Sequence, residues 1–278
     1  MQSQSPRNDN TVWVIGSDVS ASLSPELHNE MYRRLRLPWH YSCCSIAQER
    51  VPEMLHALWR RGAIGCNVTV PYKELVFSCL SSGDASQMRL ELDPAARRLG
   101  SVNTVAVHPE GLKGYSTDGA GWWQALSRDF SLESLKGRTA VLLGAGGAAR
   151  ALLDTILQHE AEQVLIVNRT AKRAEKMIAD LDEGHRCHYA GPRWQGRLPR
   201  GSLLVQATPC RSAESLSGIW SWEGCPDSLL VSDILYGSPS ALVLQAQERG
   251  LPVQDGLGML CWQAVLAVDI WRRTALLQ

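Results

Sequence analysis

The chain has 278 residues, lysine plus arginine equal aspartate plus glutamate at 28 each, and 45% of the residues are apolar. That is length for one large domain or two ordinary ones around a sizeable core, and it excludes wholesale disorder. The zero formal charge gives no electrostatic ground for nucleic acid or an acidic membrane as partner, yet leaves room for a small anionic ligand held by local donors.

The polar start from Met1 to Asn10 lacks the apolar run of a signal peptide, and no uninterrupted apolar stretch reaches the length of a membrane span. Eight cysteines without a Cys-x-x-Cys pair or a zinc-like cluster read as reduced, mostly buried thiols. Together these features predict a soluble cytoplasmic protein.

Residues 1–10 read as a frayed tail, and Thr11 to Ile15 (TVWVI) as a first strand ended by Gly16. Ser24-Pro25-Glu26 opens a helix, with serine as cap, proline in the first turn and glutamate at the positive end. Strand 41–46, helix 51–61 closed by Gly62, and strand 64–70 follow, the last delivering Pro71 and Lys73 at its carboxyl end. A charged helical segment then leads to a fourth strand, 101–108 (SVNTVAVH). This alternation predicts a parallel or mixed α/β layer.

A second unit begins near Asp118. Strand 138–143, loop 144–149, helix 150–159, strand 164–167 and helix 171–181 come in succession. Strands 203–206 and 229–233, helix 241–249 and a strand at Val253 continue the alternation, while 184–201 and 211–228 read as irregular surface. A final helix, 259–277, has an apolar face of its own. The fold class predicted is α/β in two domains. Residues 1–117 plus 255–278 form an α/β substrate domain, and 118–254 a Rossmann-type, doubly wound parallel sheet, with the site in the cleft between them.

Gly144-Ala145-Gly146-Gly147-Ala148-Ala149 fits G-x-G-x-x-G/A after a strand and before a helix. The first glycine makes the tight turn, the second admits a pyrophosphate to the backbone, and the helix start faces the phosphates. Where an NAD site would carry an acidic residue, this chain has Asn168-Arg169-Thr170-Ala171-Lys172-Arg173. Arginines there suit a 2′-phosphate, so NADP(H) is the expected cofactor.

In the first half, Asn67-Val68-Thr69-Val70-Pro71-Tyr72-Lys73 sets an amide, a hydroxyl and an amine within one short segment. A lysine there can donate a proton to a bound polar substrate and stabilise an oxyanion. Ser22 and Ser24, at alternate positions beside a helix start, can hold a carboxylate. Asn67 stands either against substrate or as a shaper of the strand end. Asn103 reads equally as a buried amide satisfying backbone, and Asp118 as a helix cap.

Taken in order, SASLSPELHN, NVTVPYK, SVNTV, STDGAG, GAGGAAR, NRTAKRAE, SDILYGSPSAL and DGLGMLCWQ form a series that resembles the shikimate dehydrogenase family, from about Val12 to Trp271. The resemblance implies reversible, NADP-dependent reduction of 3-dehydroshikimate to shikimate, on the route to chorismate and the aromatic amino acids. It implies that Ser22 and Ser24 hold the substrate carboxylate, that Thr69, Asn103 and Gln263 hold ring hydroxyls, and that Tyr236 reaches into the same site. Lys73 and Asp118 would form the catalytic pair. Gly144, Ala145, Gly146, Gly147, Ala148, Asn168, Arg169, Thr170 and Arg173 would hold NADP, with Ile234, Gly256 and Met259 near the nicotinamide.

Four positions depart from the family pattern. Ser116 stands where asparagine is usual, Gln206 replaces the asparagine of Asn-Ala-Thr-Pro, Arg211 follows where a glycine is usual, and Ser240 replaces threonine. They bear on substrate preference and turnover rather than on reaction class. The expected partner is the small substrate alone, with no nucleic acid and no membrane, in a monomer or homodimer. The competing readings are a quinate/shikimate dehydrogenase acting on quinate or a related cyclic hydroxy acid, and a non-catalytic NADP- or ligand-binding sensor on the same scaffold.

Overall fold

Strand β1 (Asp9–Gly16) sends Val12 and Val14 to one side of a sheet and Ile15 to the other, the period-two alternation of a strand buried on both faces. The computed structural model describes residues 9–82, 88–182 and 184–276. They fall into two units, 9–117 with 264–276 and 118–263 apart from Glu183.

In the first unit, β1 is followed by α1 (Ser24–Leu35), β2 (His40–Ser45), α2 (Val51–Arg61), β3 (Ala63–Val68), α3 (Lys73–Ser81), β4 (Arg89–Leu92), α4 (Pro94–Leu99), β5 (Thr104–His108) and β6 (Gly111–Tyr115). The strand order is β2-β1-β3-β5-β6-β4. Strands β1, β2 and β3 run parallel, whereas β5 pairs antiparallel with both β3 and β6, so the sheet is mixed. One face is covered by Leu55, Leu58, Val76, Leu80 and Ala96 from α2, α3 and α4. Tyr32, Ala267, Val268 and Trp271 cover the other.

The second unit contains α5 (Asp118–Phe130), β7 (Thr139–Leu143), α6 (Gly147–Gln158), β8 (Gln163–Val167), α7 (Ala171–Leu181), β9 (Cys187–Tyr189), β10 (Leu203–Gln206), α8 (Ala213–Ser217), β11 (Leu230–Asp233), α9 (Ala241–Glu248), β12 (Val253–Gln254) and the start of α10 (Leu257–Ala275). The pairings between its strands are parallel, in the order β12-β11-β10-β7-β8-β9. Read from β9, this is the doubly wound 3-2-1-4-5-6 order, whose direction reverses between β7 and β10. Ala140 and Leu142 of β7 face one core and Val141 and Leu143 the other, so helices cover both faces.

Several expectations are corrected. Asp9 and Asn10 belong to β1, which pairs with β3 from Asp9 onward, while the rest of the expected tail, 1–8, lies outside the described residues. Ser24 is the first residue of α1 rather than its cap; Leu23 takes that place without a side-chain bond. Strand β3 ends at Val68, and after a turn closed by Tyr72 N–H on Thr69 O at 2.9 Å, Lys73 opens α3 instead of ending a strand. The charged helical segment contains strand β4, and its residues 83–87 lie outside the described residues. The expected loops at 184–201 and 211–228 contain β9 and the short α8.

The division at the C-terminal end falls at Ala264, inside α10, rather than at 255. One helix serves two cores: Met259 packs with the second unit, and Ala267, Val268 and Trp271 with the first. All eight cysteines are free thiols, but only Cys66 and Cys187 are buried and the other six are partly exposed. Among the described residues no helix is long and apolar enough to cross a membrane, and no group of His, Cys, Asp or Glu could hold a metal ion.

Candidate active site

In the first unit a chain of part-buried and buried polar contacts runs from Tyr41 through Asn67 to the candidate Asn103. The Tyr41 hydroxyl donates to Asn67 Oδ1 at 2.8 Å. Asn67 Nδ2 donates in turn to Thr104 Oγ1 at 2.9 Å and to the Asn103 carbonyl at 3.2 Å. Asn103, 4% exposed, accepts on Oδ1 from Thr117 N–H at 2.9 Å and donates from Nδ2 to Thr117 Oγ1 at 2.9 Å. Burial pushes the Tyr41 phenol well above its ordinary range, against a hydrogen bond with Ser24, so it stays a neutral donor.

The Asn67 amide thus joins Tyr41 of β2 to Asn103 and to Thr104 at the start of β5, as a residue shaping the strand end would. Tyr41 and Thr104 fix Asn67, and Thr117 fixes Asn103; the sequence gives none of the three a role of its own. Asn103 does satisfy a backbone N–H, and the same bonds fix the orientation of its amide. Asn103 itself stands just before β5, not within it.

The remaining first-unit candidates lie on adjoining segments. Ser22 Oγ accepts from Ser24 N–H at 3.2 Å, ordering the turn into α1. Thr69 is held by its own N–H on Ile15 O at 2.9 Å. The carbonyl of Lys73 accepts from Val102 N–H at 3.1 Å, which ties the start of α3 to the residue beside Asn103.

In the second unit, Asp118 is 3% exposed and stands at the first turn of α5, where the positive end of the helix suits a carboxylate. Its two following glycines have separate steric reasons. A Cβ on Gly119 would meet Thr155 Oγ1 at 2.1 Å, and one on Gly121 would meet Gln263 Cγ at 2.8 Å. The D-G-A-G run thus brings α6 and α10 against α5, and sets Gln263 one helical turn from Asp118 along α5.

The expected loop 144–149 is shorter, since α6 already begins at Gly147; it lies at the end of β7, at the reversal of strand order, where ligands of such sheets bind. Gly144 has φ +114°, and a Cβ there would come within 2.9 Å of the Ala207 carbonyl at the end of β10. Gly146 and Gly147 differ: a Cβ on either would meet nothing within 4 Å. The fold itself therefore does not demand glycine at these two positions, whereas close approach of a pyrophosphate does. Gly146 stands at the N-cap of α6 with no side chain capping the first N–H groups, and Ala149 is fully buried against the sheet. The loop fits a dinucleotide.

At the end of β8, Asn168 Nδ2 donates to Thr170 O at 2.8 Å, shaping the turn into α7. Arg169, Thr170 and Arg173 are exposed, and among the described residues neither arginine makes an ion pair. Thr170 takes the N-cap position of α7 without a side-chain bond. On the other side of the reversal, a Cβ on Gly256 would meet Ile234 O at 2.0 Å, so glycine is required for that approach. Met259 packs in the core with Ile234, while Tyr236 lies in the segment after β11.

The four departures are accommodated by local bonds in three cases. Gln206 is fully buried, donates to Cys210 O at 2.8 Å and accepts from Thr208 Oγ1 at 3.0 Å. Ser240 caps α9 and donates to Asp233 Oδ2, as a threonine hydroxyl would. Arg211 donates to the carbonyls of Tyr236 and Ser238. Nothing in the structure explains Ser116.

The family model described as shikimate dehydrogenase substrate binding domain matches residues 14–105, and the one described as shikimate / quinate 5-dehydrogenase matches 126–208. A relative from Geobacillus kaustophilus named shikimate dehydrogenase (NADP(+)) is 33% identical over 93% of this chain and 91% of its own length. The chain belongs to the shikimate dehydrogenase family. A solved member from Thermus thermophilus, in complex with NADP(H) and shikimate, is 32% identical with a TM-score of 0.78, covering 94% of this chain and 92% of that one. The family architecture also extends to a 5-ketofructose reductase from Gluconobacter, 26% identical with a TM-score of 0.81 over 94% of this chain and 92% of its own.

Proposed function

We propose that this chain catalyses the reversible, NADP-dependent interconversion of 3-dehydroshikimate and shikimate, as an oxidoreductase acting on a CH-OH group in the route to the aromatic amino acids. The observation that carries the reading is similarity over nearly the whole chain to relatives named shikimate dehydrogenase (NADP(+)), in a protein that keeps a lysine at position 73 and an aspartate at position 118. A ligand sensor would have no need to keep either residue, and both are present. Nothing specific favours the quinate or sensor readings.

In this reading Ser22 and Ser24 bind the substrate carboxylate through their hydroxyls. Thr69, Asn103 and Gln263 hold ring hydroxyls, and Tyr236 adds a contact from the segment after β11. Lys73 Nζ donates the proton that the carbonyl oxygen at the reacting carbon takes up, and its positive charge stabilises that oxygen as it gains electrons. Asp118 holds the ammonium and orients the same oxygen. In the reverse direction the hydroxyl proton returns to the Lys73 amine. The cofactor, when bound, supplies or accepts the hydride. Gly144, Ala145, Gly146, Gly147 and Ala148 hold its pyrophosphate. Asn168, Arg169, Thr170 and Arg173 surround the 2′-phosphate, and Ile234, Gly256 and Met259 border the nicotinamide. The first unit is then the substrate domain and the second the NADP domain, in a cytoplasmic monomer or homodimer.

A substrate panel tests the proposal: shikimate and quinate, each with NADP and with NAD, followed at the NADPH absorbance band. The highest kcat/KM is expected for shikimate with NADP. A higher value for quinate would move the assignment to that substrate. Absence of turnover with all four pairs, in folded protein that binds shikimate by thermal shift, would support the sensor reading instead.

A further inference from the structure

The segment after β11 is anchored at both ends by one carboxylate. Asp233 Oδ1 accepts from Leu235 N–H at 2.9 Å, and Asp233 Oδ2 accepts from the Ser240 hydroxyl. Between these anchors the chain passes through Tyr236, Gly237 with φ +94°, and Ser238. The side-chain bonds to this tip come from outside it. Arg211, in the loop after β10, donates from Nη2 to Tyr236 O at 2.9 Å and from Nη1 to Ser238 O at 3.0 Å. Its own carbonyl accepts from Ala241 N–H at 2.8 Å, so the arginine is fixed to the far side of the same segment. The loop that carries it is stiffened by Gln206, whose amide spans from Thr208 to the Cys210 carbonyl.

We propose that Arg211 is a positioning residue: its guanidinium straps the two carbonyls flanking Gly237 and so presets the backbone that carries Tyr236 for substrate. A glycine at 211 has no side chain to make this strap, and the planar fork of arginine spans two carbonyls where a lysine ammonium reaches one. Without the strap, the tip has to be ordered when substrate binds, and that ordering is subtracted from affinity. The proposal rests on the assignment of Tyr236 to the substrate site.

The test is steady-state kinetics of Arg211→Ala, Arg211→Lys, Tyr236→Ala and the Arg211→Ala/Tyr236→Ala double variant, with melting temperatures alongside. Arg211→Ala is expected to raise KM for shikimate about tenfold with kcat changed less than about threefold, as loss of a binding contact rather than of a chemical step does. Arg211→Lys recovers part of the loss. The double variant loses no more than Tyr236→Ala alone, because the strap acts through that residue. Additive losses, or an unchanged KM in Arg211→Ala while Tyr236→Ala is impaired, would overturn the strap. An unchanged KM in Tyr236→Ala would instead overturn the assignment of Tyr236. Should Arg211→Ala not fold, Arg211→Lys and its double variant with Tyr236→Ala carry the same comparison.

Discussion

Protonation of His28 should be a main route by which acid destabilises the first unit. The imidazole is 2% exposed, stacked on Tyr41 with ring centres 4.2 Å apart and tilted against Trp271 at 5.6 Å. Its Nδ1 lies 3.5 Å from the Tyr32 hydroxyl, and burial pushes its pKa down from 6.5 to about 3. With the folded value below the unfolded one, the unfolded chain takes up the proton first as pH falls. Stability is therefore intact above about pH 6.5 and lost progressively down to about pH 3. At 1.36 kcal/mol per pKa unit the loss comes to about 2 kcal/mol by about pH 5 and about 4 kcal/mol by about pH 3. Urea unfolding of the wild type and of His28→Phe, which keeps a ring and removes the titration, measures it. Between about pH 7.5 and about pH 5 the wild type should lose about 2 kcal/mol more than the variant. Equal losses would refute the reasoning.

Asn67→Ala removes one partner from the Tyr41 hydroxyl, which keeps its bond with Ser24, and one from Thr104 Oγ1, which keeps Asn103 Oδ1, and should cost about 1–2 kcal/mol by urea unfolding; a cost below about 0.5 kcal/mol would show the network is replaceable. Asp233 is 1% exposed, and burial raises its carboxyl pKa against the hydrogen bonds from Ser240 and Leu235 and the charge of Arg211. Because the folded value is the higher one, stability contributed by its protonated form is lost as pH rises from 3.8 through the folded pKa. Asp233→Asn should therefore gain stability relative to wild type over that rise, and a pH-independent difference would contradict this. Arg169→Ala should raise KM for NADPH by about tenfold or more while leaving KM for NADH nearly unchanged, and equal losses would remove the phosphate clamp.

Much of this molecule is legible in sequence where one local rule suffices. The run VLLGAGGAAR gives a buried strand, a glycine with positive φ and an open helix start, and the structure has all three at β7, Gly144 and Gly146. Helices α2 and α7 follow from their apolar spacing and, for α2, from Gly62 in the left-handed conformation just past its end. What escapes is set by tertiary context. β9 has only three residues and exists because it pairs with β8, and β4 is stabilised by pairing with β6 within a charged stretch. The division inside α10 is invisible because a continuous helix carries no boundary signal where one core ends and another begins. At the candidate site, motif residues such as Lys73 and Asp118 stand out, while the parts played by Tyr41 and Thr117 emerge only from their hydrogen bonds, and Arg211 shows in sequence only as a departure whose bonding the fold supplies.

The most direct test of the account is turnover by Lys73→Ala with shikimate and NADP, measured beside shikimate affinity from thermal shift. The account predicts a fall in kcat of about 10²–10⁴-fold with affinity changed only modestly, since the lysine acts chiefly on charge that develops in the transition state. Near-normal turnover in the folded variant would contradict Lys73 as the proton donor.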